Sequence, residues 1–333
     1  MRKINGQPVE AITDISGVTN GTSGGEALKW DASTGKMVWE LQDGSAYTPP
    51  LWYGGRGIFG GGEGSSNVIQ YITISSAGNA TDFGNLLAGA GQVAGCSNGS
   101  RGVFGGGGSS TNVIQYITIA ATGNATDFGD LTLGRYGAGG TSNGSRGVFL
   151  GGYNGSSWDA GTMDYITIST TGNATDFGDL IALQGNGATT TNGTRAVHGG
   201  NQGGTSDAME YITIASTGNA TDFGDLTGGN TEQPAAMSDL SDRGVFAVGV
   251  RGTNSNIIDY ITITSTGNAT DFGDATEAKY GATGVSNGTR GCFAGGNGGK
   301  DTIEYITIAN TGNATDFGNL LSGGMTGGGS SGD

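Results

Sequence analysis

One sixteen-residue phrase governs what this chain can become. Tyr-Ile-Thr-Ile-Ala-Ser-Thr-Gly-Asn-Ala-Thr-Asp-Phe-Gly-Asp-Leu, or a close variant, begins at Tyr71, Tyr116, Tyr165, Tyr211, Tyr260 and Tyr305. The intervals are 45, 49, 46, 49 and 45 residues. A period of this length marks an array of equal supersecondary units, so it constrains the architecture before any single motif does.

Each unit has four parts. An apolar run ends in paired glycines, as in Ser-Asn-Gly-Ser-Arg-Gly-Val-Phe-Leu-Gly-Gly (142–152). A run rich in Ile, Thr and Tyr follows (163–170), then a Thr-Gly-Asn turn and Ala-Thr-Asp-Phe-Gly-Asp-Leu (174–180). A looser small-residue stretch ends the unit. β-branched runs with turn signals about every ten residues read as strands, and no window keeps a helical period. In the second run Ile303, Tyr305 and Thr307 face one way, and Glu304, Ile306 and Ile308 the other. Bulk on both faces suits a strand sandwiched between neighbouring sheets. Four strands per unit and six units predict an all-β, six-bladed β-propeller.

The 71 glycines among 333 residues fit this reading, because they fall at fixed places between the β-rich runs and mark turns and close packing. The hydrophobic fraction of 34% suits several small cores between stacked units.

The order Arg-Gly-Val-Phe-x-Gly-Gly, a Tyr strand, then an aromatic near the start of the next strand resembles the kelch repeat, over residues 56 to about 330. Where kelch units carry Trp on the last strand, this chain has Phe83, Phe128, Phe177, Phe223, Phe272 and Phe317. The resemblance implies a kelch-like propeller and carries no kelch-specific function with it.

With the four parts labelled b, c, d and a in order of appearance, the chain begins on b at Arg56 and ends on an a-like tail. The expectation is that this tail completes the first blade and hides its sheet edges. The rival is Leu51–Gly55 as the first a strand.

Comparison among the copies separates two faces. The a–b and c–d connections are nearly constant, while the b–c and d–a connections vary freely. Binding residues concentrate on loops held by a rigid scaffold, which points to the diverse face. Candidate ligand-binding residues are Tyr153, Asn154, Trp158 and Asp159 in the longest variable loop, together with Arg251. Trp158 beside Asn154 and Asp159 is suited to stack on a sugar ring, and the alternative is that it folds back onto its own loop. Tyr136, Tyr280, Arg135 and Lys279 share that face, where packing or solvated charge accounts for them.

Arg56, Arg101, Arg146, Arg195, Arg243 and Arg290 occupy one repeat position, and Asp82, Asp127, Asp176, Asp222, Asp271 and Asp316 another. Six-fold repetition argues for structure over catalysis, and an Arg–Asp bridge between strands or blades is the expectation. His198, the single histidine, stands where other units have Phe, so it reads as a substituted core aromatic. Cys96 and Cys292 have no Cys or His neighbours and read as core thiols. No unique acidic pair, nucleophile–base pair or ligand cluster stands out. The sequence therefore predicts no enzyme, no metal and no cofactor.

Net charge is −15, which disfavours nucleic acid. No run reaches the ~20 apolar residues of a membrane span, and the first residues lack a signal-type apolar core.

Residues 1–45 lie outside the repeat, and 46–333 form the expected propeller domain. Ala-Leu-Lys-Trp-Asp and Met-Val-Trp-Glu-Leu flank Ala-Ser-Thr-Gly-Lys, a hairpin pattern anchored by Trp30 and Trp39. This pattern and the repeated phrase resemble segments of tail and fibre proteins of marine cyanobacterial tailed phages. The resemblance implies a virion structural protein, assembled in the host cytoplasm. Its N-terminal module attaches to other virion proteins or oligomerises, and its propeller displays loops towards a host glycan or protein. A passive decoration or neck component is the alternative, and a polysaccharide-acting propeller enzyme a third reading.

Overall fold

The computed structural model describes residues 54–332 apart from 157–160, 182–184, 201–206, 229–230, 240, 323 and 325–327, and four short strands among the first fifty. The chain divides into two units, Met1–Pro50 and Leu51–Asp333. In the first, Lys3–Ile4 pairs with Gln7–Pro8. Glu26–Asp31 pairs antiparallel with Lys36–Leu41, placing Trp30 opposite Met37 and Trp39 opposite Leu28. The expected hairpin forms; the side chains of Trp30 and Trp39 lie outside the described residues.

The second unit is a six-bladed β-propeller of four-stranded antiparallel sheets. Blade 2 shows the plan: Ala94–Ser97 (a), Arg101–Gly105 (b), Val113–Thr118 (c) and Thr126–Asp130 (d). Blades 3 to 6 start their a strands at Gly139, Ala188, Ala235 and Thr283. The six a strands adjoin one another in a closed circle round the axis. Blade 1 takes its b, c and d strands from Arg56–Gly60, Val68–Thr73 and Thr81–Asn85, and its a strand from Gly328–Gly332. Gly328 lies opposite Gly60 and Gly332 opposite Arg56. The tail therefore closes the ring, and the place open to Leu51–Gly55 is occupied.

The hydrophobic core lies between blades. Ile58, Ile69, Phe83 and Leu86 of blade 1 and its exit pack with Phe104, Ile117 and Ile119 of blade 2, and the other clusters repeat this. Within each blade the c-strand Tyr meets the d-strand Phe edge-to-face, with centroids 6.0–6.2 Å apart. Such pairs add about 1 kcal/mol beyond burial.

The constant Gly-Asn-Ala turn joins blade to blade. Gly123 and Ala125 donate backbone N–H groups to Phe83 O (2.7 Å) and Asn85 O (2.8 Å), and Asn85 N–H donates to Asn124 Oδ1 (3.0 Å). The last junction is the same: Gly78 to Phe317 O, Ala80 to Asn319 O, and Asn319 N–H to Asn79 Oδ1. Each turn covers the outer edge of the preceding blade, an edge that would otherwise pair with a stranger. Gly84 has φ +148°, and a Cβ there would collide with Gly123 O. Only glycine allows the turn so close. The phrase is repeated because most of its letters hold a junction.

Candidate functional site

The six repeated arginines do not pair with the six repeated aspartates; the expected bridge is overturned. Each guanidinium lies over the Tyr of its own blade, 4.1–4.6 Å from the centroid. Each Nη1 donates to a c-strand-end carbonyl of the next blade: Arg56 to Ile119, Arg101 to Ile168, Arg146 to Ile214, Arg195 to Ile263, Arg243 to Ile308 and Arg290 to Ile74. The cause is strand order. Arg56 is opposite Thr73, diagonal to Tyr71 on the adjoining strand, whereas Asp82 lies on the strand beyond. Asp82, Asp127, Asp176, Asp222, Asp271 and Asp316 are exposed.

A second ring lies at the diverse face. The residue before each Tyr is Gln70, Gln115, Asp164, Glu210, Asp259 or Glu304, all buried. Each accepts from the backbone N–H three residues beyond the Thr-Asp-Phe-Gly run of the preceding blade: Leu321, Leu87, Thr132, Ile181, Thr227 and Thr276 respectively. Three of the acids also hold a buried cation. Arg135 reaches Asp164 at 2.8 Å, Arg251 reaches Asp259 at 2.7 Å, and Lys279 reaches Glu304 at 2.8 Å. Arg251 is thus removed from the ligand-binding set: its side chain is 5% exposed and it braces the loop beside it. Arg135 and Lys279 are fully buried and paired, so solvated charge does not describe them. The sequence carried one signal of this ring that went unread: Thr132, Thr227 and Thr276 accompany Asp164, Asp259 and Glu304, while apolar residues accompany both glutamines.

Of the long variable loop, Trp158 and Asp159 lie outside the described residues. Tyr153 pairs with Tyr136 through two backbone hydrogen bonds of 2.8 and 3.0 Å, their rings 5.1 Å apart. Asn154 Oδ1 accepts from Ser156 N–H at 2.9 Å. Tyr280 N–H donates to Asn297 Oδ1 at 3.2 Å.

A cavity of about 130 Å³ opens where the axial channel meets the diverse face. Its rim is a collar of peptide groups. Gly137 N–H donates to Gln92 O (2.9 Å), Asn186 to Gly137 O (2.7 Å), Gln233 to Asn186 O (3.0 Å) and Gly281 to Gln233 O (3.0 Å). All five residues hold φ between +51° and +69°, which glycine adopts freely and other residues rarely. Gln92, Asn186 and Gln233 thereby stand in the lining, Asn186 with its Oδ1 against Gly137, which sequence reading missed. Glycine at two of the five equivalent positions was the available clue.

His198 lies behind Gly139 and Gly187, which line the cavity, and is itself buried, with Thr189 Oγ1 3.0 Å from Nδ1. Burial lowers its pKa from 6.5 to about 4, so it is neutral at pH 7. Burial raises the Cys96 and Cys292 thiols to about 12. Among the described residues no cluster of His, Cys, Asp or Glu is arranged to hold a metal ion, and no helix is long and apolar enough to cross a membrane.

The fold defines the class: a six-bladed propeller. The solved "Structure of YjhT" is similar, with TM-score 0.62 and 12% identity, covering 79% of this chain and 94% of that one. At that identity the likeness concerns the fold alone. No family model and no curated protein matches the chain.

Proposed function

We propose that this chain is a structural and recognition protein of a phage particle, of the tail-fibre type. The first unit attaches it to other virion proteins, and the propeller's diverse face meets the host surface. It acts by binding and catalyses no reaction. One observation carries the choice of face. The exposed large hydrophobics Leu87, Leu133, Ile181 and Leu321 all sit in d–a segments of the diverse face, at four consecutive blade junctions. The constant face spends its repeated residues on joining blades and offers no such side chain among those described.

The test is adsorption of the purified full chain to a panel of marine cyanobacterial strains. The expected result is saturable binding to some strains, weakened about tenfold or more by the triple change Leu87→Ser, Ile181→Ser, Leu321→Ser. Asp82→Asn and Asp127→Asn on the constant face leave it unchanged. Binding to no strain, or binding indifferent to the triple change, overturns the reading.

A further inference from the structure

The charges of the propeller select its ligand. From Leu51 onward the sequence holds ten basic and 23 acidic residues. All ten basic side chains have partners within the chain. Six arginines are stacked on tyrosines and bonded to carbonyls; Arg135, Arg251 and Lys279 sit in buried ion pairs; Lys300 contacts Glu277 at 2.5 Å. An anionic polymer would meet a unit with 13 more acidic than basic residues (23 − 10), each of whose basic side chains already has a partner in the chain.

The cavity at the channel mouth is stricter still. Its described lining consists of Gly, Ala, Val, Pro and Thr with the three amides of Gln92, Asn186 and Gln233, and includes no ionisable side chain. An ion entering it would lose hydration with no countercharge in return. A hydroxyl or acetamido group loses far less and gains amide and backbone partners. The space, about 130 Å³ within the collar, admits the tip or branch of a chain and not its length.

We infer that the channel mouth binds an uncharged terminal or branch sugar of a neutral surface polysaccharide, through Gln92, Asn186 and Gln233, and rejects anionic glycans. This rests on the recognition reading above and narrows it to one ligand class and one place.

The experiment is retention of the full chain on immobilised mannan and dextran, and on alginate and heparin, at low and high salt. The comparison variant is Gln92→Gly with Asn186→Gly and Gln233→Gly. Glycine is native at the equivalent Gly137 and Gly281, so the collar backbone is preserved while the amides are removed. Retention on a neutral polymer is expected, insensitive to salt and reduced at least about tenfold in the triple variant. An unchanged melting temperature certifies the variant's fold. Retention on alginate or heparin that salt abolishes overturns the inference and leaves the recognition reading standing. Neutral-polymer retention unaffected by the triple change overturns the placement. Retention on no polymer, with cell adsorption intact, removes the glycan and keeps a host-surface partner; loss of both ends both readings.

Discussion

Arg290 Nη1 donates to the carbonyl of Ile74 at 3.0 Å, joining residues 216 positions apart across the seam of the ring. The same guanidinium lies 4.3 Å above Tyr305. A stacked, charge-assisted contact of this kind is worth about 1–3 kcal/mol. Arg290→Lys keeps the charge but loses the flat face and the fork. It is expected to lower stability by about 1 kcal/mol, and Arg290→Ala by about 2 kcal/mol, in urea unfolding. Equal effects at Arg146, which makes the same contacts within the chain, would show that the seam is held like any other junction.

Removal of residues 328–333 uncovers the backbone of Arg56–Gly60 along its inner side. An unpaired edge of this kind recruits other chains. The truncated protein is expected to lose its sharp thermal transition and to elute as oligomers in size-exclusion chromatography. A monomer with an unaltered melt would mean that the tail strand is dispensable.

Lys279 and Glu304 are both fully buried. Lys279→Leu alone leaves a buried carboxylate without its cation and is expected to cost about 3–5 kcal/mol. Adding Glu304→Gln imitates blades 1 and 2, where Gln70 and Gln115 fill the same position. The double variant should recover to within about 1 kcal/mol of the parent, since an uncharged pair has no ion to desolvate. A double-mutant cycle in urea reads the coupling directly.

His198 binds its proton more weakly folded than unfolded, with a pKa lowered from 6.5 to about 4. Above pH 6.5 both states are neutral, and the histidine contributes no pH dependence. Between 6.5 and 4 the unfolded chain takes up the proton first, so stability falls as pH falls, levelling off below about 4. The full loss is of the order of 3 kcal/mol. His198→Leu should flatten this part of the stability–pH curve; an identical slope in parent and variant would contradict the assignment.

The ring, its blade number and the closing strand were legible because six aligned copies report period, strand order and a missing a strand at once. What the copies cannot report is contact. Arginine and aspartate both recur six times, and opposite charge suggests a bond. The c strand intervenes, and about 10 Å across two strand spacings is too far for a direct pair on one sheet. The cations of the diverse face misled in another way. Arg135, Arg251 and Lys279 occur on variable segments, where a lone cation reads as solvated; only the fold brings each to its acid. The amide collar was hidden because its residues share a backbone conformation and not a side-chain type.

The closing strand also sets a schedule. Each outer edge is covered by the blade that follows it, and the inner edge of blade 1 waits for Gly328–Gly332, more than 260 residues further along the chain. A ribosome making this protein therefore holds an open arc until Gly328–Gly332 emerges, and the first blade lacks its innermost strand up to that point. Closure is a single late event joining the two ends of the arc, and until it happens the nascent chain's chief hazard is another nascent chain.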